Sequence, residues 1–297
     1  MTPLPTLSIV VPTYRRPDRL RSCLESLRAL DYPGDRFEVI VVDDSDGSPM
    51  LDQMPERPDT INVTLLKQPH AGPAAARNTG AAQARGDYLA FTDDDCMPET
   101  GWLRALATQI LRTPDHAIAG HTINMLPDNL FSSATHLLTD FLQEWHAGHR
   151  PDPFFASNNL AVPAKAFRGL GGFHPGFTLA AGEDREFCHR WAMSGGRTTL
   201  VPEAVVRHAH PLTLGSFWRQ HFGYGRGAFL FHRLRARSVG SVRTPFSFYL
   251  ALVTYPLRRG KSPQRFRLTA LLVLAQAATT AGFSRERLLR SRRSPRT

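Results

Sequence analysis

The chain has 297 residues, 42 % of them hydrophobic, which excludes a wholly disordered protein and allows one sizeable folded domain with an appendage. Lysine and arginine total 36 against 26 aspartate and glutamate residues, so the net charge of +10 favours an anionic partner. Cys23, Cys96 and Cys188 lie too far apart for a disulfide framework or a CxxC metal motif, and a reducing compartment is expected.

The N-terminal sequence MTPLPTLSIVVPTYRR predicts a buried strand. It lacks a basic segment ahead of its apolar run and a plausible cleavage site, which argues against a secretory signal. Similar apolar runs alternate with helical patterns up to about residue 210, an arrangement typical of a mostly parallel α/β sheet flanked by helices. The predicted strands cover residues 7–11, 37–42, 61–66 and 88–92, and the predicted helices follow Pro17 and cover residues 73–84.

Polar residues follow three of these predicted strands. Thr13 comes after the first, Asp43 and Asp44 after the second, and Asp93-Asp94-Asp95 after the run DYLAFT. In open α/β sheets, ligands bind beyond the carboxyl ends of the strands. The sequence therefore predicts one crevice that collects all of these side chains.

The aspartate triplet predicts a metal site. Two unit charges about 5 Å apart repel by roughly 3 kcal/mol at an effective dielectric near 20, and a hard divalent cation such as Mg²⁺ or Mn²⁺ offsets that cost. If the backbone stays extended, Asp93 and Asp95 share a face. A turn or helix-capping cluster remains an alternative, because aspartate is favoured in both places. The soft thiol of Cys96 suits such a cation poorly and is interpreted as packing.

A second acidic pair, Glu183-Asp184, precedes a helical pattern with Phe187 and Trp191 four residues apart. A carboxylate here can take a proton, yet acidic residues at helix starts also stabilise the helix, and both interpretations stay open. His208 follows a predicted strand; a lone histidine there is either structural or a ligand.

After residue 210 the sequence changes to aromatic, basic and apolar stretches, which predicts a helical appendage over residues 211–297 behind an α/β domain over residues 1–210. Between residues 258 and 296 the sequence has eleven basic residues and a single acidic one, Glu286. The apolar run 268–283 is shorter than the roughly 20 residues that span a bilayer. With its arginine flanks it is either an interfacial helix on an anionic membrane or a core helix with a solvated tail.

Four segments carry a family resemblance: LSIVVPTYRRPDRLRSCLESL, VIVVDDSDGS, AGPAAARNTGAAQARGDYLAFTDDDCMPETGWL and GGFHPGFTLAAGEDREFCHRWAMSGG. In this order and spacing, over residues 6–210, they resemble the family-two glycosyltransferases of the GT-A fold. The resemblance implies a metal-dependent, inverting transfer of a sugar from a nucleotide-diphosphate donor, UDP-type favoured, to a saccharide or lipid-linked acceptor. It further implies polysaccharide or glycolipid synthesis at the cell envelope, in the cytoplasm or at the inner membrane face.

The resemblance also assigns roles. Asp93 and Asp95 match the ends of the family's DxD motif, on ribose and metal respectively, and Asp94 is its variable middle residue. Asp184 matches the catalytic base, with Glu183 in support, and His208 a third metal ligand to Mg²⁺ or Mn²⁺. The remaining donor-binding residues are expected to be Pro12, Thr13, Tyr14, Asp43, Asp44, Arg77 and Asn78.

Several further positions are assigned because they lie near these motifs in the sequence, and one feature is read from a difference to other members of the family. Trp102, Phe155, Asn158 and Asn159 are expected on the acceptor side, and His221, Tyr224 and Arg226 over the diphosphate. Processive synthases of the family carry a QxxRW motif where this chain has FWRQHFGYGRG, which indicates transfer of one or a few sugars.

Two other functions fit less of the sequence. A sugar nucleotidyltransferase needs a glycine-rich loop after the first strand, and VVPTYRRPDRL has no glycine. Nucleic-acid binding follows from charge alone, and no nucleic-acid motif accompanies it, so no nucleic-acid partner is expected.

Overall fold

The computed structural model describes residues 3–46, 61–149, 154–239, 244–259 and 263–291. Where described, the chain forms two compact units, each built from several stretches. The first unit falls within Met1–Met125, Phe155–Thr178 and Phe187–Ala209, and the second within Leu126–Phe154, Leu179–Glu186 and His210–Thr297. The domain boundary expected near residue 210 stays a prediction.

The first unit contains a mixed sheet of eight strands in the described part of the chain, in the order β3-β2-β1-β4-β7-β6-β8-β5. Strands β1 to β4 run parallel to their partners in this group, while β7 is antiparallel to both β4 and β6, and β5 is antiparallel to β8. The strands are β1 Leu7–Thr13, β2 Phe37–Asp43, β3 Asn62–Lys67, β4 Tyr88–Phe91, β5 Cys96–Pro98, β6 Ala117–Asn124, β7 Leu160–Pro163 and β8 Thr198–His208.

The helices flank the sheet or form the second unit. They are α1 Pro17–Arg28, α2 Pro73–Gln83, α3 Trp102–Arg112, α4 Leu130–His149, α5 Ala164–Gly169, α6 Glu183–Met193, α7 Leu214–Val239, α8 Phe246–Arg259 and α9 Arg265–Ser291. Helices α1 and α2 both begin with proline, whose fixed φ suits the first helical position. The four predicted strands and the predicted helix over residues 73–84 are confirmed to within two residues at each end, and the helix predicted after Pro17 is present as α1.

Central strands β1 and β2 are buried at every position, as expected of parallel strands covered on both faces. Their side chains join those of α1 and α3 in one apolar core. Helix α2 packs closely on β1: a Cβ added at Gly80 would lie 2.5 Å from Val10 Cγ1, so only glycine fits without displacement. This packing fixes the loops at the carboxyl ends of the strands.

Three strand ends meet at one edge of the sheet, as predicted. Thr13 pairs in register with Asp43, and Val10 pairs with Phe91, the last residue of β4. The polar residues that follow β1, β2 and β4 therefore lie side by side. Strand β5 then pairs with β8, which places Cys96 opposite His208.

The second unit is helical in its described part, which agrees with the predicted C-terminal helical segment. Two apolar clusters join α4 with the later helices, around Phe141 and Leu252 in one and Phe217 and Ala275 in the other. Helices α7 and α9 approach so closely that a Cβ on Gly282 would collide with the carbonyl oxygen of Phe222.

Helix α9 is longer than the apolar run predicted at residues 268–283. It has 27 residues, and by length and composition alone it can cross a membrane, with 22 % of its most apolar window buried. The length-based prediction against a span is therefore weakened, because the helix extends beyond the apolar run at both ends. Lys261, Arg292, Arg293 and Arg296 of the predicted basic tail lie outside the described residues.

Candidate active site

The three aspartates lie on a tight turn between β4 and β5. The amide of Cys96 donates to the carbonyl of Asp93 at 3.1 Å, which closes the turn. The extended backbone that would have put Asp93 and Asp95 on one face is absent here, because β4 ends at Phe91. The turn holds the three carboxylates in different surroundings, so each is considered separately.

Asp94 is buried beneath the end of β1. Its carboxylate accepts a hydrogen bond from Thr13 Oγ1 at 2.8 Å and pairs with Arg16 Nη1 at 3.1 Å. Burial raises the pKa of Asp94 to about 6; Arg16 opposes this rise and the neighbouring Asp95 adds to it. Both carboxylate oxygens are engaged by protein groups, so the middle aspartate helps to bind the turn to β1.

Asp95 is the most highly connected of the three. One oxygen, Oδ2, lies 3.2 Å from Arg16 Nη1 and 2.9 Å from Arg19 Nη1, while Oδ1 lies 3.2 Å from His208 Nε2. Burial tends to lower the pKa of His208, but the hydrogen bond and the charge of Asp95 outweigh it and raise that pKa. The structure thus brings together the two residues that the sequence predicts as metal ligands.

The donor set at this point fits a divalent cation. Within the described residues, ligand atoms of Asp95, Cys96 and His208 lie within 4.8 Å of one another. Burial raises the pKa of the Cys96 thiol well above its usual range, and a soft sulfur suits a hard, oxygen-preferring cation poorly. A carboxylate and an imidazole remain, and both are ligands for Mn²⁺ or Mg²⁺.

Asp93 is the most exposed of the triplet and pairs with Arg77. Arg77 Nη2 lies 2.5 Å from Asp93 Oδ1, and the guanidinium also lies 5.8 Å from the centre of the Phe173 ring. The Arg77 side chain is only 4 % exposed, whereas that of Asp93 is 30 % exposed. Arg77 is therefore a buried residue, and it orients the accessible carboxylate.

Asp43 ends β2 as a fully buried side chain. Its Oδ1 accepts hydrogen bonds from the Ser45 amide at 3.1 Å and from the Ser45 hydroxyl. Its Oδ2 has no hydrogen-bond partner among the described residues. An unpaired buried carboxylate oxygen is costly. Asp43 Oδ2 is therefore a free acceptor for an N–H or O–H group of a bound ligand.

Asp44 holds the neighbouring loop. Its carboxylate accepts hydrogen bonds from Gln68 Nε2 at 2.7 Å and from the amides of Ala71 and Gly72 at 2.8 Å, and it lies 2.9 Å from His70 Nδ1. These bonds use both oxygens. The loop in turn positions His70, whose ring lies 4.5 Å from that of Tyr14.

A match to known proteins decides the family. The model of "Glycosyl transferase family 2" matches residues 8–171, which is more than half of the chain and includes the strand ends and the aspartate turn. The chain belongs to glycosyl transferase family 2.

Individual relatives agree with this family. The chain is 30 % identical over 232 residues to the pre-mycofactocin glycosyltransferase of Mycobacterium tuberculosis, covering 75 % of this chain and 46 % of the relative. It is 28 % identical over 243 residues to the probable glycosyltransferase YdaM of Bacillus subtilis, covering 76 % and 56 %. The chain thus spans about half the length of these curated relatives.

Solved structures show the same fold. The mannosyltransferase PcManGT from Pyrobaculum calidifontis, in complex with GDP-Man and Mn²⁺, matches with a TM-score of 0.63 and 20 % identity, over 94 % of this chain and 88 % of that one. S. aureus TarS 1-349 in complex with UDP-GlcNAc matches with a TM-score of 0.55 and 17 % identity, over 96 % and 92 %. The predicted GT-A fold is confirmed.

Within this family 2 chain, the remaining predicted donor residues have defined surroundings. Pro12 and Thr13 are buried at the end of β1, whereas Tyr14 is exposed beside His70. The amide of Asn78 is engaged at both ends by the backbone of Phe173, at 2.7 and 2.8 Å. Asn78 therefore positions the segment around Phe173, and direct donor binding through its amide is not supported.

Glu183 and Asp184 lie at the start of α6, within the helical unit. Glu183 is buried and Asp184 half-buried, and Asp184 Oδ1 accepts a hydrogen bond from the Arg185 amide at 2.7 Å. Arg185 also lies 4.7 Å from the centre of the Phe231 ring. These contacts are compatible with both the structural and the catalytic interpretations of Asp184.

Some predictions from sequence proximity are wrong. Trp102 is fully buried and donates to Asn159 Oδ1 at 2.9 Å, so neither side chain faces an acceptor. Phe155 is buried as well. His221 is fully buried against Phe217 inside the helical unit and cannot close over a diphosphate.

The sequence interpretation also missed three residues. Arg16 and Arg19 contact the aspartate turn, and His70 packs on Tyr14. The sequence could have indicated the two arginines, because the segment TYRRPDRL follows the first strand at the same sheet edge as the aspartates. It could not have indicated His70, since only the folded loop around Asp44 brings this residue to Tyr14.

Proposed function

We propose that this chain is an inverting, divalent-metal-dependent glycosyltransferase that uses a nucleoside-diphosphate sugar. The observation that carries the proposal is the contact of Asp95 with His208 beside the buried Asp94 carboxylate. Family membership supports it. The GDP-Man and Mn²⁺ bound to PcManGT and the UDP-GlcNAc bound to TarS support the donor class.

The donor base is proposed to be uracil, held by Asp43. One oxygen of this carboxylate is occupied by Ser45, so one buried acceptor is left for a single ring N–H. Uracil offers one such group, at N3. Guanine offers two adjacent donors that suit a carboxylate with both oxygens free. Tyr14 and His70 supply exposed aromatic rings beside this strand end for packing on the base.

Asp95 and His208 are the proposed metal ligands, with Asp93 on the ribose. When bound, the metal supplies positive charge that stabilises the diphosphate as it leaves. Arg77 orients Asp93 and adds a fixed positive charge close by. The buried position of Asp94 suits a residue that keeps the turn in place.

Asp184 is proposed to act as the base, with Glu183 in support. It takes the proton of the acceptor hydroxyl while that oxygen forms a bond to the anomeric carbon of the sugar. The bond from that carbon to the diphosphate oxygen breaks on the opposite side, so the configuration inverts. The products are the glycosylated acceptor, the nucleoside diphosphate and a protonated Asp184.

The acceptor is proposed to be a saccharide or a lipid-linked saccharide, extended by one or a few sugars. Relatives named as succinoglycan biosynthesis protein ExoM and hyaluronan synthase support a role in polysaccharide or envelope synthesis. An anionic membrane surface at the cytoplasmic side is the proposed location. Exposed Phe246 on α8 and exposed Phe266 beside Arg265 on α9 suit such a surface.

A donor screen tests this function. Purified protein is incubated with UDP-, GDP- and dTDP-sugars, with Mn²⁺ or with EDTA, and release of the nucleoside diphosphate is measured. Mn²⁺-dependent release from a UDP-sugar, lost in Asp95→Asn, is expected. Equal release with EDTA, or release from none of the donors together with no nucleotide binding, contradicts the proposal.

A further inference from the structure

Arg16 and Arg19 hold the buried carboxylates of the aspartate turn. Arg16 Nη1 bridges Asp94 Oδ1 at 3.1 Å and Asp95 Oδ2 at 3.2 Å, and Arg19 Nη1 lies 2.9 Å from the same Asp95 oxygen. Two guanidinium groups therefore share one oxygen of the proposed metal ligand. A cation that binds this oxygen has to compete with both.

Helix stability does not explain these two arginines. Arg16 is the N-cap residue of α1 and makes no side-chain capping bond, and Arg19 lies in the first turn. Positive side chains at this end of a helix oppose the helix dipole, and Ser, Thr, Asp or Asn is preferred at the cap. The arginines are placed against the local preference of the helix, and the contacts they gain are those with Asp94 and Asp95.

The arginines stand between the carboxylates and solvent. The side chains of Arg16 and Arg19 are 43 % and 33 % exposed, whereas those of Asp94 and Asp95 are 4 % and 5 % exposed. Long, half-exposed side chains have room to move to another anion, provided that another cation replaces them at the buried carboxylates. The acidic residues are fixed in the turn and do not have this freedom.

We propose that Arg16 and Arg19 are an exchangeable pair of cations: they neutralise Asp94 and Asp95 before the metal arrives, and then transfer to the diphosphate of the donor. The pair thereby couples metal binding to donor binding. The metal alone binds weakly, because it must either displace the guanidinium groups from Asp95 Oδ2 or bind Oδ1, on the His208 side, against their positive charge. With a nucleoside diphosphate present, the displaced groups gain a new anionic partner, and the metal binds tightly.

Two further observations agree with a donor at this edge. Asp43, which pairs in register with Thr13, keeps a buried carboxylate oxygen without a partner among the described residues. Arg77 already neutralises Asp93 on the other side of the turn. The exchange concerns only Arg16 and Arg19, because Arg77 is almost fully buried and has little freedom to move. The inference rests on the proposed function, since it needs both the metal and the diphosphate.

Mn²⁺ affinity, measured by the electron paramagnetic resonance signal of free Mn²⁺, tests the exchange. Wild type, Arg16→Gln, Arg19→Gln and the double variant are titrated with and without UDP. The matched control is Arg21→Gln, because Arg21 lies on the same helix and pairs with the exposed Asp18 and not with the aspartate turn. No turnover is needed for this readout.

Wild type is expected to bind Mn²⁺ at least about tenfold more tightly with UDP than without, within the usual range of coupling between sites. In the double variant, Mn²⁺ alone binds about tenfold more tightly than in wild type, and UDP adds less than about threefold. Arg21→Gln behaves as wild type. If the double variant does not fold, the single variants decide the matter by an intermediate change in the same direction.

Unchanged or weaker Mn²⁺ binding in the folded variants, with wild-type coupling to UDP retained, overturns the exchange and leaves the proposed function standing. A wild type that binds neither Mn²⁺ nor UDP overturns the proposed function and the exchange with it.

Discussion

Nε2 of His208 lies 3.2 Å from Oδ1 of Asp95, although the two residues are far apart in the sequence. The pairing of β5 with β8 produces this contact, because it sets Cys96 opposite His208 in antiparallel register. The turn that carries the aspartates leads directly into β5. A sheet contact, and not a local motif, therefore completes the proposed metal site.

Replacing His208 by glutamine tests its place in that site. We expect His208→Gln to weaken Mn²⁺ binding in the presence of UDP by about tenfold or more, because one of the protein ligands loses its imidazole nitrogen. Isothermal titration measures the affinity. His116→Gln is the control, since the His116 ring hydrogen-bonds to Thr199 and is not among the residues grouped at the proposed metal site. Equal Mn²⁺ affinity in both variants would remove His208 from the site.

Donor selection is tested at Asp43 and Ser45. Asp43→Asn is expected to raise the Kd of UDP about tenfold, because a charged acceptor for a ring N–H is replaced by a neutral amide. Ser45→Ala removes the hydrogen bond from the Ser45 hydroxyl to Asp43 Oδ1. This leaves Oδ1 more available to a second ring N–H, so the preference for UDP over GDP is expected to decrease. Competition of the two nucleotides against a fluorescent UDP analogue measures both effects. A preference for GDP in the wild type contradicts the assignment of uracil.

The base is tested by Asp184→Asn. Turnover is expected to fall about a hundredfold or more, because the amide cannot take the acceptor proton, while the Kd of UDP with Mn²⁺ stays within about twofold. Glu203→Gln changes an exposed carboxylate on β8 and serves as the control. Wild-type turnover in Asp184→Asn excludes it as the base.

His221 predicts a pH dependence of stability. Burial lowers its pKa to about 4 in the folded protein, below the value of about 6.5 for an unfolded chain. The folded state therefore favours the neutral ring, and this group's contribution is retained above pH 6.5 and lost as the pH falls towards 4. The loss amounts to about 3 kcal/mol at most.

Urea unfolding of wild type and His221→Gln at pH 7, 5.5 and 4 measures the contribution of His221 to the free energy of unfolding. The variant lacks the titrating ring, so its free energy of unfolding should fall less steeply with acid than that of the wild type. Parallel pH profiles for the two proteins would show that His221 is not the group responsible.

Membrane association is tested on the exposed aromatic residues of the helical unit. Phe246→Ser together with Phe266→Ser is expected to reduce co-sedimentation with vesicles that contain anionic phosphatidylglycerol by several fold. Leu65→Ser, which removes an exposed apolar side chain from edge strand β3, should leave it unchanged. Absence of wild-type binding to these vesicles at low salt contradicts the membrane location.

The sequence predicted the elements with the strongest patterns. Buried β1 and β2 are continuous apolar runs in the sequence. Because parallel strands end at the same edge of the sheet, the sequence alone predicts that the polar residues after them lie together. The antiparallel strands β5 and β7 were not predicted, because each has only three or four residues and little periodicity. Trp102 was misplaced because sequence proximity to the aspartates says nothing about which way a helix turns its side chains.

The most direct test of the central claim is the titration of UDP into wild type and Asp95→Asn, each with Mn²⁺ and with EDTA. A metal-dependent donor site predicts that wild type binds UDP at least about tenfold more tightly with Mn²⁺, and that Asp95→Asn loses this difference. Equal UDP affinity with Mn²⁺ and with EDTA in the wild type would contradict it.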